Sequence, residues 1–380
     1  MKFVADTEVV IVGAGPAGSA LATMLGMRGV GTVLLDSATF PRDKACGEGL
    51  MPSGAQVLRG IGIDVEALPA IRGVTYRVPQ AGSVGGEFTD GKVARGARRL
   101  VLDAQLAERA RSTPNVDARF GCEVSGLERR DGHRIVRYAG GEIGGKFVVG
   151  ADGLHSRVAR WTGWARPPRR PHRYAFTGHV TAPAHRVQSV LVTILDGCEV
   201  YTAPTAADEL LVAVLGTKAG LRREGEPAAE AYTRHVAEAH PELSVEGVDV
   251  RGAGPFWVRP ARVAGDRVFL LGDAAGFLDP LTGDGMSDAL AGAARLADLL
   301  ASGVEAPERA YARWEAAQWR RRALVARLAR LLTGSSAVAR RALLRLQKRP
   351  VTLNRLLEVN DGTRSLWSLS PRDWATLAGV

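Results

Sequence analysis

Residues 7–36 read "TEVVIVGAGPAGSALATMLGMRGVGTVLLD", and this stretch decides the fold. Val9 to Val12 form a β-branched run, as expected for a strand buried on both faces. Gly13, Gly15 and Gly18 then give G-x-G-x-x-G, with Pro16 and Ala17 inside the turn that opens a helix. The first glycine permits the turn and the second lets a pyrophosphate approach the backbone. The third lets helix and strand pack closely. The helix N-terminus offers free N–H groups and a positive dipole end to an anion. Asp36 closes a second strand at the position where an acid hydrogen-bonds a ribose hydroxyl. Strand, turn, helix and acid together predict a dinucleotide site, and the motif fits NAD and FAD equally.

The bulk composition sets the bounds. A chain of 380 residues with 46% hydrophobic content has ample core for two domains or one large interleaved one. Cys46, Cys122 and Cys198 are odd in number and widely spaced, which argues against a disulfide framework and for a reducing cytoplasm. The seven histidines show no close spacing with cysteines or acids, so no metal site is expected. The uncharged run 9–27 is broken by Gly13, Gly15, Pro16 and Gly18 and reads as strand, turn and helix rather than a leader or membrane span. No other uncharged run is long enough to cross a bilayer. The formal charge is +10, and segment 313–349, with eleven Lys or Arg against Glu315, holds all of it. A neutral main body argues against nucleic-acid binding.

Two further stretches repeat the junction pattern. "FVVGADGLHSRVAR", residues 147–160, runs from a strand into a Gly-Asp-Gly turn and a helix. "VFLLGDAAGFLDPLTGDGMSDALAGAARLADLL", residues 268–300, is a strand, a Gly-Asp turn, a loop and a long helix starting near Ser287. Taken singly, each acid can be a helix cap. Together, GAGPAG, the Arg-rich helix start at "RLVLD", GADG and GDAAGFLDPLTGDGM resemble the flavoprotein hydroxylase superfamily, with the para-hydroxybenzoate hydroxylase fold, over residues 1 to roughly 300.

That resemblance implies an α/β fold: a Rossmann-like FAD-binding domain, an interleaved β-sheet substrate domain and C-terminal helices. It implies that Gly13, Gly15, Ala17, Gly18 and Asp36 hold the ADP half of FAD. Arg42 and Arg99 would lie near the phosphates or ribityl chain, with Asp152 in an Asp-Gly element serving FAD and the nicotinamide coenzyme. Gly272 and Asp273 would take the ribityl hydroxyls. In "DPLTGDGM", Pro280, Gly283, Gly285 and Met286 would flank the flavin ring. The positive helix end would face the edge that becomes negative on reduction.

The loop "DKACGEGLMPSG", residues 43–54, falls where the superfamily passes close to the flavin. Cys46 and Gly47, with Pro52 after them, look most like the geranylgeranyl reductase branch, as does Gly276, where many aromatic hydroxylases have His. Cys46 and Pro280 are the candidate catalytic residues, and the alternative for Cys46 is a small space-filling side chain. The reductases' Tyr-x-Trp-x-Phe-Pro strand is replaced by "GCEVYTAPTAADELLVAVLG", residues 197–216, with Tyr201 and Pro204 but no Trp. The halogenases' Trp-x-Trp-x-Ile-Pro is also missing, and residues 53–91 contain no lysine to match their catalytic one.

The expected division assigns 1–73, 97–172 and 263–312 to the FAD-binding domain and 74–96 and 173–262 to the substrate sheet. Residues 313–380 form a basic helical region. One helix is expected near 228–239. Tyr76, Phe88, Tyr174, His179, Tyr201 and Phe256 are candidates for the inner wall, each with plain core as the alternative. Leu324, Val325, Leu328, Leu331 and Leu332 make an apolar stripe with arginines opposite. Those arginines read as a solvated face, or as contact with a membrane surface or acidic carrier protein.

The activity expected is NAD(P)H-driven, FAD-dependent hydroxylation of an aromatic or lipophilic secondary metabolite through a flavin C4a-hydroperoxide. The alternatives are saturation of isoprenoid double bonds and modification of a partner polypeptide or carrier-bound substrate. With a single glycine motif, the nicotinamide coenzyme has no separate domain and must share the cleft.

Overall fold

The computed structural model describes residues 6–130, 132–182 and 187–378. The chain ends, 1–5 and 379–380, which belong to the first and last expected segments, lie outside the described residues. The β-branched run becomes the strand Thr7–Val12, with Val10 and Ile11 fully buried. It pairs in parallel with Thr32–Leu35 on one edge and Gly141–Gly150 on the other. Val116–Arg119 and Val268–Leu270 extend the parallel set on either side. The helices Pro16–Met27, Arg99–Arg111 and Gly285–Ala301 pack together against this sheet. Parallel strands end on the same edge, so Gly13, Asp36, Ala151 and Gly272 line up there, where ligands of open α/β sheets bind.

A second, seven-stranded sheet faces that edge. Its order is Arg251–Ala253, Arg173–Thr181, Glu209–Thr217, Cys198–Ala206, Ser189–Ile194, Gly73–Val78 and Gly82–Glu87. The two-residue period divides its side chains cleanly. Phe176, Val200, Val212 and Val214 face outward against the helix Ala228–Ala239. The alternate residues form rows toward the nucleotide edge. One row is Tyr76, Val192, Tyr201, Ala213, Thr177 and Arg251, registered strand by strand. A small three-stranded sheet of Gly49–Leu50, Ala94–Gly96 and Ala70–Ile71 ties the Cys-Gly loop to this body.

The C-terminal helices Pro307–Thr333, Ser336–Lys348, Val351–Asn360 and Pro371–Ala378 close the remaining side. Val325, Leu328, Leu332, Leu343 and Leu346 point inward against the sheet. The expected apolar stripe therefore splits. Leu324 and Leu331 fall one residue off the inward stripe and are 38% and 71% exposed.

The arginines opposite also split. Arg321 donates to Asn360 O at 2.9 Å and to Asp288 at 3.1 Å. Arg322 reaches Glu315 at 2.7 Å and Asp288 at 3.5 Å. These two are internal struts, not a solvated face, because the Gly285–Ala301 helix brings Asp288 beneath them. Among the described residues no helix is long and apolar enough to cross a membrane.

Candidate active site

A continuous cleft of about 1030 Å³ runs from the glycine turn to the C-terminal helices. At its nucleotide end Gly13 has φ +104°, and a Cβ there would lie 2.5 Å from the Ala151 carbonyl oxygen. Gly15 opens toward two guanidinium groups, with Arg42 at 3.5 Å and Arg99 at 3.9 Å from where its Cβ would stand. Arg99 grips Asp103 with two hydrogen bonds of 2.6 and 2.7 Å, and Arg42 approaches the same carboxylate at 3.3 Å. Burial works against the Arg99 charge, but Asp103 outweighs it and holds the guanidinium protonated. Two cations against one buried acid leave a net positive charge beside Gly15, as a pyrophosphate requires.

Gly18 is the one expected nucleotide residue that does not face the cleft. A Cβ there would come within 1.8 Å of the Gly13 carbonyl oxygen, so its role is close helix–strand packing. Ala17 lines the cleft beside it. Asp36 accepts the Ala14 N–H at 2.6 Å and the Ala38 N–H at 2.8 Å, so it organises the turn as well as lining the cleft.

Further along, Asp152 Oδ2 accepts the N–H groups of Arg157 at 2.7 Å and Val158 at 3.0 Å, capping the helix Arg157–Trp161. Its Oδ1 is buried with no protein donor. Asp273 also lines the cleft. The hydroxyls of a ribityl chain are donors of the kind these carboxylates accept. The glycine cradle, the paired arginines and Asp152 Oδ1 therefore fit FAD.

At the ring end, Gly272 and Gly283 take left-handed φ of +62° and +67°. The helix Gly285–Ala301 begins two residues before the expected Ser287, with buried Met286 in its first turn. A Cβ on Gly285 would sit 3.1 Å from the Phe277 ring. Pro280 lines the cleft in the turn before the helix. Gly276, at φ +135°, cannot take a larger side chain, since its Cβ would meet the Trp319 ring at 2.8 Å.

The Cys-Gly loop brings Cys46 and Gly47 to the cleft wall. Cys46 Sγ accepts the Glu48 N–H at 3.3 Å. Burial pushes its thiol up, against the pull of Arg99. It is a neutral thiol at pH 7, not a nucleophilic thiolate. A Cβ on Gly47 would meet no protein atom within 4 Å, so the glycine borders open space in the cleft.

The strained position is Glu48, at φ +52° and 1% exposed. Its carboxylate accepts the Arg99 N–H at 2.8 Å and lies 2.8 Å from His179 Nε2. It thus locks the loop to both domains. Nothing in "GEG" announces a buried acid, and sequence reasoning missed it.

The end of the cleft under the seven-stranded sheet is lined by Tyr76, Phe88, Tyr201 and Phe256, four of the six expected wall residues. Tyr174 lies on the outer face with Phe176 because it is two residues from it, while Ala175 and Thr177 between and beyond them face the cleft. His179 is taken by Glu48. Burial, reinforced by Glu199, raises the Tyr76 hydroxyl to about 12, and the same causes push the Tyr201 hydroxyl well above its ordinary value. The Tyr201 hydroxyl is buried without a partner. Below it Arg173 joins Glu199 and Asp279 in a buried ion cluster that was also missed.

These features decide the family. The FAD binding domain family matches residues 6–331. The chain belongs to the FAD binding domain family. Menaquinone reductase of Mycolicibacterium smegmatis is 28% identical over 315 residues, spanning 78% of this chain and 76% of that protein. Squalene monooxygenase of Rattus norvegicus is 30% identical over 318 residues, 76% of this chain and 53% of that protein. The solved structure of a flavin-dependent brominase superposes with a TM-score of 0.80 at 20% identity, covering 96% of both chains. This FAD-family chain is an FAD-dependent oxidoreductase of the flavoprotein hydroxylase fold.

Proposed function

We propose that this protein is a monooxygenase that uses NAD(P)H and inserts oxygen into a lipophilic or aromatic substrate carrying a polar head. The observation that carries the reading is the Tyr201 hydroxyl, buried and unpartnered in a wall that includes Val190, Val192, Leu211, Leu328 and Leu343. A buried hydroxyl without a partner costs about 1–3 kcal/mol. A substrate carbonyl or hydroxyl would satisfy it while its apolar body fills the aliphatic chamber.

Bound FAD would supply the redox and oxygen chemistry, and the chain's own residues would shape its surroundings. Asp273 and Asp152 would orient the ribityl chain, and Gly283 and Gly285 would let the ring lie against backbone. The aliphatic chamber excludes water from the reacting face. Exposed Lys44, His155, Arg160 and Arg251 on the cleft lining support docking of a phosphate-bearing nicotinamide coenzyme.

A second reading, saturation of an isoprenoid double bond, is favoured by similarity to menaquinone reductase and by the aliphatic lining of the chamber. Turnover with isotopically heavy oxygen gas separates the two. Heavy oxygen in the product supports the oxygenase. Product gaining two hydrogens under anaerobic conditions, with no label, supports the reductase.

A further inference from the structure

The outer face of the C-terminal helices is a different surface from the cleft. On Pro307–Thr333 a single exposed stripe reads Arg313, Ala317, Arg320, Leu324, Arg327 and Leu331, spaced alternately by four and three residues. That spacing holds one helix face over nearly its whole length. On Ser336–Lys348, Val338 and Leu344 are each 44% exposed, flanked by exposed Arg341, Arg345 and Lys348. Trp367, in the short turn Leu366–Ser368 beyond the helix Val351–Asn360, is 82% exposed. The one acid of 313–349, Glu315, is buried and paired with Arg259 and Arg322. The exposed charge of this segment is therefore cationic throughout.

Charge of one sign selects an anionic partner. The interleaving selects its kind. Leucine and valine stand between the arginines on the same helix faces, which is the pattern of helices that lie in a membrane interface. Arginine stems lie along the acyl boundary with their heads at the phosphates, and tryptophan sits at the headgroup level. The inner faces of these helices line the apolar chamber, so one helix layer separates that chamber from the docking face.

We propose that the outer face of the C-terminal helices docks on an anionic lipid bilayer. Arg321 and Arg322 take no part, being held by Asp288 and Glu315. The docking goes beyond the oxygenase reading and stands or falls without it.

The test uses the FAD-loaded full chain and flotation with phosphatidylglycerol/phosphatidylcholine vesicles, against phosphatidylcholine alone. The protein is expected to float with the anionic vesicles only, and to be released as salt rises toward about 1 M, where the screening length falls to about 3 Å. Replacing Arg327, Arg341 and Arg345 by Gln should lower partition by roughly a hundredfold, at about fivefold per lost charge near the surface. Leu331→Ser with Trp367→Ser should weaken it while flavin absorbance stays intact. If the charge variant fails to fold, wild-type quenching by brominated lipid, lost in Trp367→Phe, reads the same contact. No flotation at low salt, flotation unchanged by folded variants, or capture by polyglutamate without vesicle binding overturns the proposal; the last outcome assigns the face to an acidic protein. Turnover of a detergent-dispersed substrate, measured separately, reports on the oxygenase reading alone.

Discussion

Arg173 donates through Nη1 to both carboxylate oxygens of Asp279, at 3.1 and 2.9 Å. Its other terminal nitrogen holds Glu199, which also accepts the Thr333 hydroxyl at 2.9 Å. One buried guanidinium thus fixes the loop that carries Pro280 against the substrate sheet and the end of the Pro307–Thr333 helix. Arg173→Ala strands two buried acids. Breaking such a pair costs about 3–5 kcal/mol, so urea unfolding should show a loss of that order. A loss below about 1 kcal/mol would mean that water satisfies the cluster.

Asp273 stands at the end of the Val268–Leu270 strand and faces the cleft. Asp273→Ala removes an acceptor for the ribityl hydroxyls. A charged hydrogen bond contributes about 1.5–3 kcal/mol, so the Kd for FAD should rise at least tenfold. Titration of apoprotein by flavin fluorescence checks it, and an unchanged Kd assigns the ribityl chain to other residues.

The FAD half of the cleft is legible in the sequence because its requirements are local. Gly13, Gly272 and Gly283 hold positive φ, and their neighbours in sequence form the cradle. The substrate half is not local. Whether Tyr174 or Thr177 faces the cleft depends on pairing with strands far along the chain. Arg321 reads as solvated until the packing of two helices puts Asp288 under it. Glu48 is invisible because a buried acid at positive φ breaks the local preferences, and only its contacts with Arg99 and His179 explain it. The Arg99–Asp103 pair was within reach, since an i, i+4 pair of opposite charge stands in "RLVLD".

Tyr201→Phe tests the polar-head reading. The hydroxyl has no protein partner, so its removal should leave thermal stability unchanged or slightly raised. Affinity for a substrate with a carbonyl or hydroxyl head should fall about tenfold, in line with about 1–1.5 kcal/mol for a neutral hydrogen bond. Affinity for a headless hydrocarbon analogue should hold. Equal loss for both ligands would assign Tyr201 to shape alone.

For Cys46, burial raises the thiol, so alkylation by iodoacetamide at pH 7 should run well below that of an exposed cysteine and climb with pH above about 9. Because Cys122 is also partly exposed, Cys122→Ser should serve as the background. Cys46→Ser should retain FAD and change product yield per NAD(P)H, since a hydroxyl hydrates the flavin side of the pocket better than a thiol. Wild-type yield in that variant would make Cys46 a space-filling residue. Fast alkylation at pH 7 would instead reveal a thiolate stabilised by Arg99.

Asp288 carries a pH signature. Burial, reinforced by Asp284 and opposed by Arg322 and Arg321, pushes its carboxyl up from 3.8 to about 7. Between those values the folded chain holds a proton that the unfolded chain has released. The slope of stability with pH follows the excess of protons bound in the unfolded state, here negative. This group therefore makes the fold less stable as pH rises from about 4 to about 7, with no further change above. Each unit of displacement corresponds to about 1.4 kcal/mol. The melting temperature should fall across that window in wild type relative to Asp288→Asn, which lacks the titration and should show a flatter profile. Parallel profiles for the two proteins would mean that Arg321 and Arg322 keep Asp288 ionised throughout.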